Sequence, residues 1–231
     1  MAQAVTKSKS NVNRVYEDLR QMAANFEFMP DARINEGELA ASLNTSRTPV
    51  REALNRLVAE GFLTFQSGRG FFCRSLSPSL ILDLYEARVA IECEALRLAC
   101  ERADDDQIGD LKSYLTVIEP RYLSCADPIE LLALDEDFHN KLTALSGNKE
   151  LATILTNLND RIRYVRLINL KSLQDKPVNS QMSAHRVIVN ALVARDANAA
   201  VAAMRSHIEQ RRSEATEAVR IAYSQLYVPA D

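Results

Sequence analysis

The sequence has no long hydrophobic run and little cysteine, and both shortages narrow the kinds of protein it can be. No apolar stretch approaches the roughly 20 residues that a membrane-spanning helix needs, although 47% of the 231 residues are hydrophobic. Lys7 and Lys9 are followed by no apolar stretch, so no secretory signal is expected. The four cysteines form no Cys-x-x-Cys pair, which argues against a disulfide framework and a zinc knuckle. We therefore expect a cytoplasmic protein.

Glycine is also scarce, and it is unevenly distributed. Four of the six glycines fall before residue 71, and only Gly109 and Gly147 follow. With so few turn-forming residues, the second part of the chain is expected to be almost wholly helical. N-capping residues between the apolar segments place helices near 79–102, 105–124, 128–146, 149–172, 179–194 and 197–223. Six helices of this length predict an antiparallel bundle rather than a sheet-based enzyme.

Charge is distributed unevenly along a chain whose net charge is −3. The first 76 residues carry ten Lys/Arg and eight Asp/Glu, whereas the rest carries 18 and 23. This asymmetry permits an N-terminal part that binds nucleic acid, attached to an acidic domain that does not.

The stretch from Asn44 to Gly61 predicts a short amphipathic helix, with Pro49 near its start and the glycine just past its end. One stripe of this helix is apolar and must pack on a core, through Val50, Leu54, Leu57 and Val58. The flank beside it could reach base edges and phosphates, through Arg47, Thr48, Arg51 and Asn55. Taken alone, the helix is better interpreted as a solvated amphipathic helix with scattered charge, so the neighbouring segments must decide.

The neighbouring segments favour a winged helix-turn-helix. A short helix is expected to open at Asn35, with Glu38 three residues later, and to turn at Asn44. Two β-prone runs, 62–65 and 71–73, flank glycines that predict a hairpin. Arg69 at its tip could contact phosphates or the minor groove, and the alternative is an ordinary solvated turn arginine.

The predicted fold is mostly α, with an N-terminal winged helix-turn-helix that carries a small β-hairpin wing and a C-terminal all-α antiparallel helical bundle. The expected boundaries are a disordered segment at 1–10, a DNA-binding domain at 11–75, a linker at 76–79, a helical domain at 80–224 and a tail at 225–231.

Only three histidines occur, and each lies on an apolar helical stripe of the second part: His139, His185 and His207. Asp135 precedes His139 by four residues and therefore shares its helix face. Imidazole and carboxylate ligands suit Zn²⁺, Ni²⁺, Mn²⁺ or Fe²⁺, and the sequence does not choose among them. Two interpretations stay open, a divalent metal site and hydrogen-bonded core histidines.

Two ordered sets of motifs run along nearly the whole chain. The N-terminal set is Ser46-Arg47-Thr48-Pro49-Val50-Arg51-Glu52-Ala53-Leu54, followed by Gly61 and Gly68-Arg69-Gly70. The C-terminal set comprises Leu84-Tyr85-x-x-Arg88 with Glu92, Asp135-x-x-Phe138-His139-x-x-Leu142, His185-Arg186 and Met204-Arg205-Ser206-His207. Together they resemble the GntR family of bacterial transcription regulators, in the subfamily with a FadR C-terminal type (FCD) effector domain.

This resemblance implies roles for particular residues. The implied contacts to operator DNA are Ser46, Arg47, Thr48, Arg51, Gly68 and Arg69. The implied ligands of one divalent metal (Zn, Ni, Mn or Fe) per subunit are Asp135, His139, His185 and His207. The implied holders of an anionic effector are Arg88 and, as further candidates, Arg161, Arg163 or Arg166. Gly37 departs from the pattern, because some members place a DNA-contacting arginine there.

The expected function is that of a homodimeric, ligand-responsive transcriptional repressor, not an enzyme and not bound to a membrane. It would bind palindromic double-stranded operator DNA and sense a small carboxylate. One alternative is a metal-dependent hydrolase acting on a small carboxylate, but its candidate base, Glu136, points roughly 100° away from Asp135 on the helix. The other alternative is a DNA-binding protein with a purely structural bundle.

Overall fold

The computed structural model describes residues 2–172 and 179–227. The chain divides into two compact units, with the boundary between Leu76 and Ser77. Within the described residues there are nine helices and one two-stranded antiparallel sheet. This architecture confirms the predicted fold class of a winged helix-turn-helix with a helical C-terminal domain. No helix in these residues is both long and apolar enough to cross a membrane.

The N-terminal unit contains three helices and the hairpin. Its elements are α1 (Ala2–Ala24), α2 (Glu36–Ser42), α3 (Arg47–Ala59), β1 (Leu63–Gln66) and β2 (Gly70–Cys73). Helix α1 begins at Ala2, whereas the sequence favoured a disordered segment over 1–10; Met1 lies outside the described residues. The first proline is Pro30 and the first glycine is Gly37, so no helix-breaking residue interrupts the N-terminal stretch.

The core of the N-terminal unit lies between α1, α3 and the wing. The apolar stripe of α3 packs against α1, and its residues Val50, Leu54 and Leu57 are fully buried. Removing such side chains from water contributes roughly 1.5–3 kcal/mol each. Because one face of α3 is fixed in this core, its other face points to solvent.

The turn of the helix-turn-helix and the turn of the wing form at the residues that predicted them in the sequence. Asn35 caps α2 by accepting hydrogen bonds from the Gly37 and Glu38 amides. Asn44 adopts a left-handed conformation with φ of 49°, which asparagine tolerates better than most residues. In the wing, Gln66 pairs with Gly70, and Gly68 has a φ of 73° in the connecting turn.

The C-terminal unit consists of helices in its described part. They are α4 (Pro78–Arg102), α5 (Asp105–Ser124), α6 (Pro128–Ala144), α7 (Lys149–Ser172), α8 (Asn179–Val193) and α9 (Ala197–Tyr227). Helix α9 continues to Tyr227, although a tail was expected from 225; residues 228–231 of that tail lie outside the described part.

Helices α4 and α9 pack as antiparallel neighbours, whereas α4 and α6 run in the same direction, with Glu92 beside His139 and Arg102 beside Ser146. Glu86 near the start of α4 pairs with Arg212 of α9, whereas Cys93 further along α4 lies 3.7 Å from the carbonyl oxygen of Val201. Helix α6 packs against both α4 and α7, and α8 packs against α9. Side chains of α6, α8 and α9 meet in the interior of this unit.

Candidate metal centre and DNA-binding surface

The N-terminal end of α3 presents the side chains expected to contact DNA. Ser46 is the N-cap of α3, but its side chain makes no capping hydrogen bond. Ser46, Arg47, Thr48 and Arg51 are all exposed. The side chains of Arg47 and Arg51 form no hydrogen bond or ion pair with any residue in the described ranges. Their donors are therefore available to an external partner.

A groove runs along this surface between α3 and the start of α2. Its wall includes Arg47, Thr48, Arg51 and Asn55. A β-carbon on Gly37 would lie 3.0 Å from Nη2 of Arg47. Any larger residue at position 37 would therefore require the end of the Arg47 side chain to shift.

The remaining two predicted DNA contacts lie at the tip of the wing. Gly68 and Arg69 are exposed. Nη1 of Arg69 donates a hydrogen bond of 2.8 Å to Gln66, and its guanidinium lies 5.2 Å from the centre of the Phe72 ring. These contacts hold the side chain along the hairpin, on the surface of the same compact unit as α3.

Four predicted metal ligands meet inside the C-terminal unit. Asp135 and His139 come from α6, His185 from α8 and His207 from α9, and one ligand atom of each lies within 4.8 Å of the others. Nε2 of His139 lies 3.3 Å from Nε2 of His207, and Nε2 of His185 lies 3.3 Å from Oδ1 of Asp135. Two ligands that are each about 2.0–2.1 Å from a tetrahedral ion stand roughly 3.3 Å apart. The spacing therefore suits a metal.

The surroundings favour the protonation states that a metal requires. Burial lowers the pKa of His185, and burial together with the nearby His185 and His139 holds the pKa of His207 well below its usual range. Burial opposes ionisation of Asp135, but His139, His185 and Arg166 outweigh it and hold the pKa of this carboxyl well below its usual value. Neutral imidazoles and an ionised carboxylate are the forms that bind a metal.

His185 provides the sharpest test of whether these residues fit a metal. Its side chain is fully buried, Nε2 has only the Asp135 carboxylate beside it at 3.3 Å, and Nδ1 has no hydrogen-bonded partner among the described residues. The ring is fixed by stacking on Phe138, with 4.2 Å between ring centres. A buried polar atom without a partner is costly, so this ring fits a ligand role better than that of a hydrogen-bonded core histidine.

Glu92 supports the cluster from α4. Its carboxylate contacts Nδ1 of His139 and also the guanidinium of Arg88. Burial opposes its ionisation, but Arg88 and His139 outweigh this effect and lower the pKa of Glu92 to about 2. The sequence motif included Glu92, yet no role was predicted for it. Its spacing of four from Arg88, on a helix face with Val89 and Leu96, was the available signal.

A small cavity of about 30 Å³ adjoins the ligands. Its wall contains Asp135, His207, Tyr85, Arg88, Tyr122, Arg166, Asn169, Leu170, Ile208 and Arg211. Arg88 is 2% exposed, and its Nη2 atom has no hydrogen-bonded partner among the described residues. Arg166 contacts Asp135 and lies 3.3 Å from Glu136. With Arg211, three guanidinium groups therefore line the cavity together with Asp135 and His207.

The other two proposed effector contacts do not line this cavity. Arg163 forms an ion pair of 2.7 Å with Glu136, and Arg161 is only partly buried. Arg161 lies five residues before Arg166 and therefore faces another side of α7, whereas Arg163 lies three residues before it and shares its contact with Glu136. Arg211 and Tyr122 do line the cavity and were not anticipated, since no local pattern shows that α5 and α9 meet there.

Comparisons with known proteins agree with both units. The profile described as bacterial regulatory proteins, gntR family, matches residues 11–73, and that of the FCD domain matches residues 83–210. The Nta operon transcriptional regulator of Aminobacter aminovorans is 40% identical over 206 residues, covering 89% of this chain and 95% of that protein. This chain belongs to the GntR family of transcriptional regulators.

Further relatives of this GntR-family regulator share its length. The transcriptional repressor RspR of Escherichia coli is 28% identical over 214 residues, which cover 90% of this chain and 88% of that protein. The structure of E. coli McbR/YncC has a TM-score of 0.67 at 21% identity, covers 93% of this chain and 98% of its own, and shows the same fold. Because the families and relatives are transcriptional regulators rather than enzymes, the hydrolase alternative has no support.

Proposed function

We propose that this GntR-family regulator is a cytoplasmic homodimeric repressor whose FCD domain binds one divalent metal per subunit and senses a small carboxylate. The observation that carries the proposal is the buried cluster of Asp135, His139, His185 and His207, whose ligand atoms lie within 4.8 Å of one another. The same chain carries a DNA-binding surface on α3 and the wing.

The donor set defines the class of metal. Three imidazoles and one carboxylate suit Zn²⁺, Ni²⁺, Mn²⁺ or Fe²⁺. Asp135 is also held by Arg166, and His139 by Glu92, so both side chains are oriented by neighbours as metal ligands commonly are. An ion that takes five or six ligands would keep a coordination position open beside these four residues, and an effector oxygen would bind there.

The cavity wall favours an anionic effector. Arg88, Arg166 and Arg211 line the cavity together with Asp135 and His207. Guanidinium groups bind carboxylates through two parallel hydrogen bonds. The N–H groups of Nη2 of Arg88 have no acceptor among the described residues and can donate to a ligand. The tyrosines of the wall, Tyr85 and Tyr122, add hydroxyl groups that can orient a second polar group.

The dimer connects the effector pocket to DNA. A helix-turn-helix reads a palindrome when two copies present their α3 ends to successive half-sites. An effector changes DNA affinity only if it binds better to one of two arrangements of those copies. The role as repressor is supported by the similarity to RspR, which is itself described as a repressor.

The proposal is tested by thermal-shift measurements on the full chain stripped of metal, with and without added Zn²⁺, Ni²⁺ or Mn²⁺. A metal that binds only the folded state, at a free concentration of 100 times its dissociation constant, stabilises the folded state by about 2.7 kcal/mol. We expect such a rise for the wild type and none for His139→Ala or His207→Ala. A panel of small carboxylates is then added with the metal present, and a further rise identifies the effector class.

The same samples are then tested for binding to duplexes tiled across the region upstream of the protein's own gene. The stabilising carboxylate should change the affinity for one of these duplexes, and sedimentation should show a dimer. A wild type that neither retains a metal nor gains stability from one refutes the metal site. A stabilising carboxylate that leaves DNA affinity unchanged refutes the regulatory role.

A further inference from the structure

We propose that Arg33, which none of the expected DNA contacts includes, binds a DNA phosphate beside the helix-turn-helix. Arg33 lies between α1 and α2, in a segment that the wing fixes in place. The Ile34 amide donates a hydrogen bond of 2.8 Å to the Phe71 carbonyl, and the Cys73 amide donates one of 2.9 Å to the Ala32 carbonyl. Arg33 forms the β-bridge with Phe72 between these two bonds.

This backbone pairing determines which way Arg33 faces. Successive side chains of an extended segment point to opposite sides. Ile34 is 6% exposed and belongs to the core of the N-terminal unit, whereas Arg33 is exposed. The guanidinium is therefore presented to solvent from a short, hydrogen-bonded segment rather than from a free loop.

The side chain of Arg33 lines the same groove as the arginines of α3. The wall of this groove includes Arg33, Arg47, Arg51 and Gly70. Nε and Nη2 of Arg33 lie 3.9 and 4.0 Å from the position of a β-carbon on Gly70. Arg33 thus lines the groove beside Gly70, at the end of β2 next to the turn of the wing.

The arginines of the N-terminal unit fall into two groups, those whose side chains have a partner within the unit and those whose side chains have none among the described residues. Those with hydrogen-bonding or aromatic-ring partners within the unit are Arg14, Arg20, Arg56, Arg69 and Arg74. The side chains of Arg33, Arg47 and Arg51 make no hydrogen bond or ion pair with any residue of the described chain. These three are the ones that line the groove.

The net charge of the groove depends on each of these three arginines. Its wall also contains three carboxylates, Glu36, Glu38 and Glu52. The face therefore has no surplus of positive charge, and the loss of one guanidinium makes it net negative. Repulsion of a polyanion would follow.

The position of Arg33 selects phosphate over base as its partner. When the N-terminal end of a recognition helix enters the major groove, the elements beside it face the sugar-phosphate backbone. Arg33 lies on such a flanking segment, not on α3. Contacts to phosphate carry no sequence information, so Arg33 contributes to affinity and salt dependence rather than to operator choice.

The test measures binding of the full-length protein to a 24-base-pair duplex of arbitrary sequence, at about 50 to 200 mM KCl. Each phosphate contact contributes about 0.9 to the slope of log affinity against log salt concentration, so Arg33→Ala should reduce the slope by about 0.9 for each subunit bound. For two subunits, the fall in affinity across this salt range then becomes about 12-fold smaller. Arg33→Lys keeps the charge and should keep the slope.

Arg220→Ala is the matched control, since Arg220 is an exposed arginine of the C-terminal unit, with a side chain that is 78% exposed. Circular dichroism of each variant establishes that it is folded. The proposal is overturned if Arg33→Ala binds the arbitrary duplex with the wild-type slope and affinity. It is equally overturned if Arg33→Lys loses as much slope as Arg33→Ala. These measurements need neither metal nor effector, so their failure leaves the proposed effector site standing.

Discussion

Glu92 of α4 contacts Nδ1 of His139 on α6, although the two residues are 47 positions apart in the chain. Both side chains are fully buried. The contact turns the other ring nitrogen, Nε2, toward His207 and Asp135. A carboxylate that fixes the tautomer and direction of a ligating histidine is a common device around protein-bound metals.

Replacing Glu92 should weaken metal binding without removing a ligand. Loss of a supporting carboxylate typically lowers metal affinity by about 10- to 100-fold, because the imidazole is less well oriented and less basic. We expect a fall of this size for Glu92→Gln, measured by competition with a chromophoric chelator. Glu94→Gln, an exposed change on the same helix, should retain wild-type affinity. Equal affinities for the wild type and Glu92→Gln would show that Glu92 only balances the charge of Arg88.

Arg47→Ala and Arg51→Ala should abolish selective binding to the operator. A good arginine contact to a base contributes about 1–3 kcal/mol of discrimination, and a dimer loses it at both half-sites. Competition between the best upstream duplex and a scrambled duplex of equal length measures this selectivity. Arg47→Lys is an informative second variant, because lysine keeps the charge but cannot form the bidentate contact. Selectivity that survives both alanine substitutions would assign base reading to another element.

Much of the fold could be predicted because helix limits are set by local chemistry. Asp104 and Asp127 cap α5 and α6, and the expected starts at 105 and 128 agree with the structure. The apolar stripe of α3 likewise identified its buried face. The start of α1 could not be predicted from a cap, since the polar residues before Val12 neither favour nor break a helix strongly.

The candidate site was predictable only in part, for a related reason. The histidines stood out because all three lie on apolar helical faces, which is visible along each helix separately. The supporting residues depend on which helices meet. Glu92 acts on a helix 47 residues away, and Arg211 and Tyr122 reach the cavity from α9 and α5. Periodicity within one helix carries no information about such contacts.

Leu54→Ala should destabilise the N-terminal unit strongly. Leu54 is fully buried in the core beneath the exposed face of α3. Truncation of a buried leucine costs about 2–5 kcal/mol, through lost burial and the cavity that remains. Urea unfolding followed by circular dichroism measures the loss, since the chain has no tryptophan for fluorescence. Asn55→Ala, the exposed neighbour, should change stability by less than about 0.5 kcal/mol. Similar losses for both variants would mean that α3 is not anchored through its apolar stripe.

Asp104→Ala should destabilise the C-terminal unit by about 1 kcal/mol, within a range of roughly 0.5–2 kcal/mol. The Asp104 carboxylate accepts a hydrogen bond of 2.7 Å from the Gln107 amide, and the Gln107 side chain accepts one of 3.1 Å from the Asp104 amide. Without the Asp104 carboxylate, the Gln107 amide loses its acceptor, and the Gln107 side chain is no longer held against the Asp104 amide. Asp104→Asn keeps an acceptor of equal capping strength and should be nearly neutral, which separates the cap from the charge. If thermal unfolding shows that Asp104→Asn costs as much as Asp104→Ala, the negative charge at the start of α5 is the stabilising feature and the cap is not.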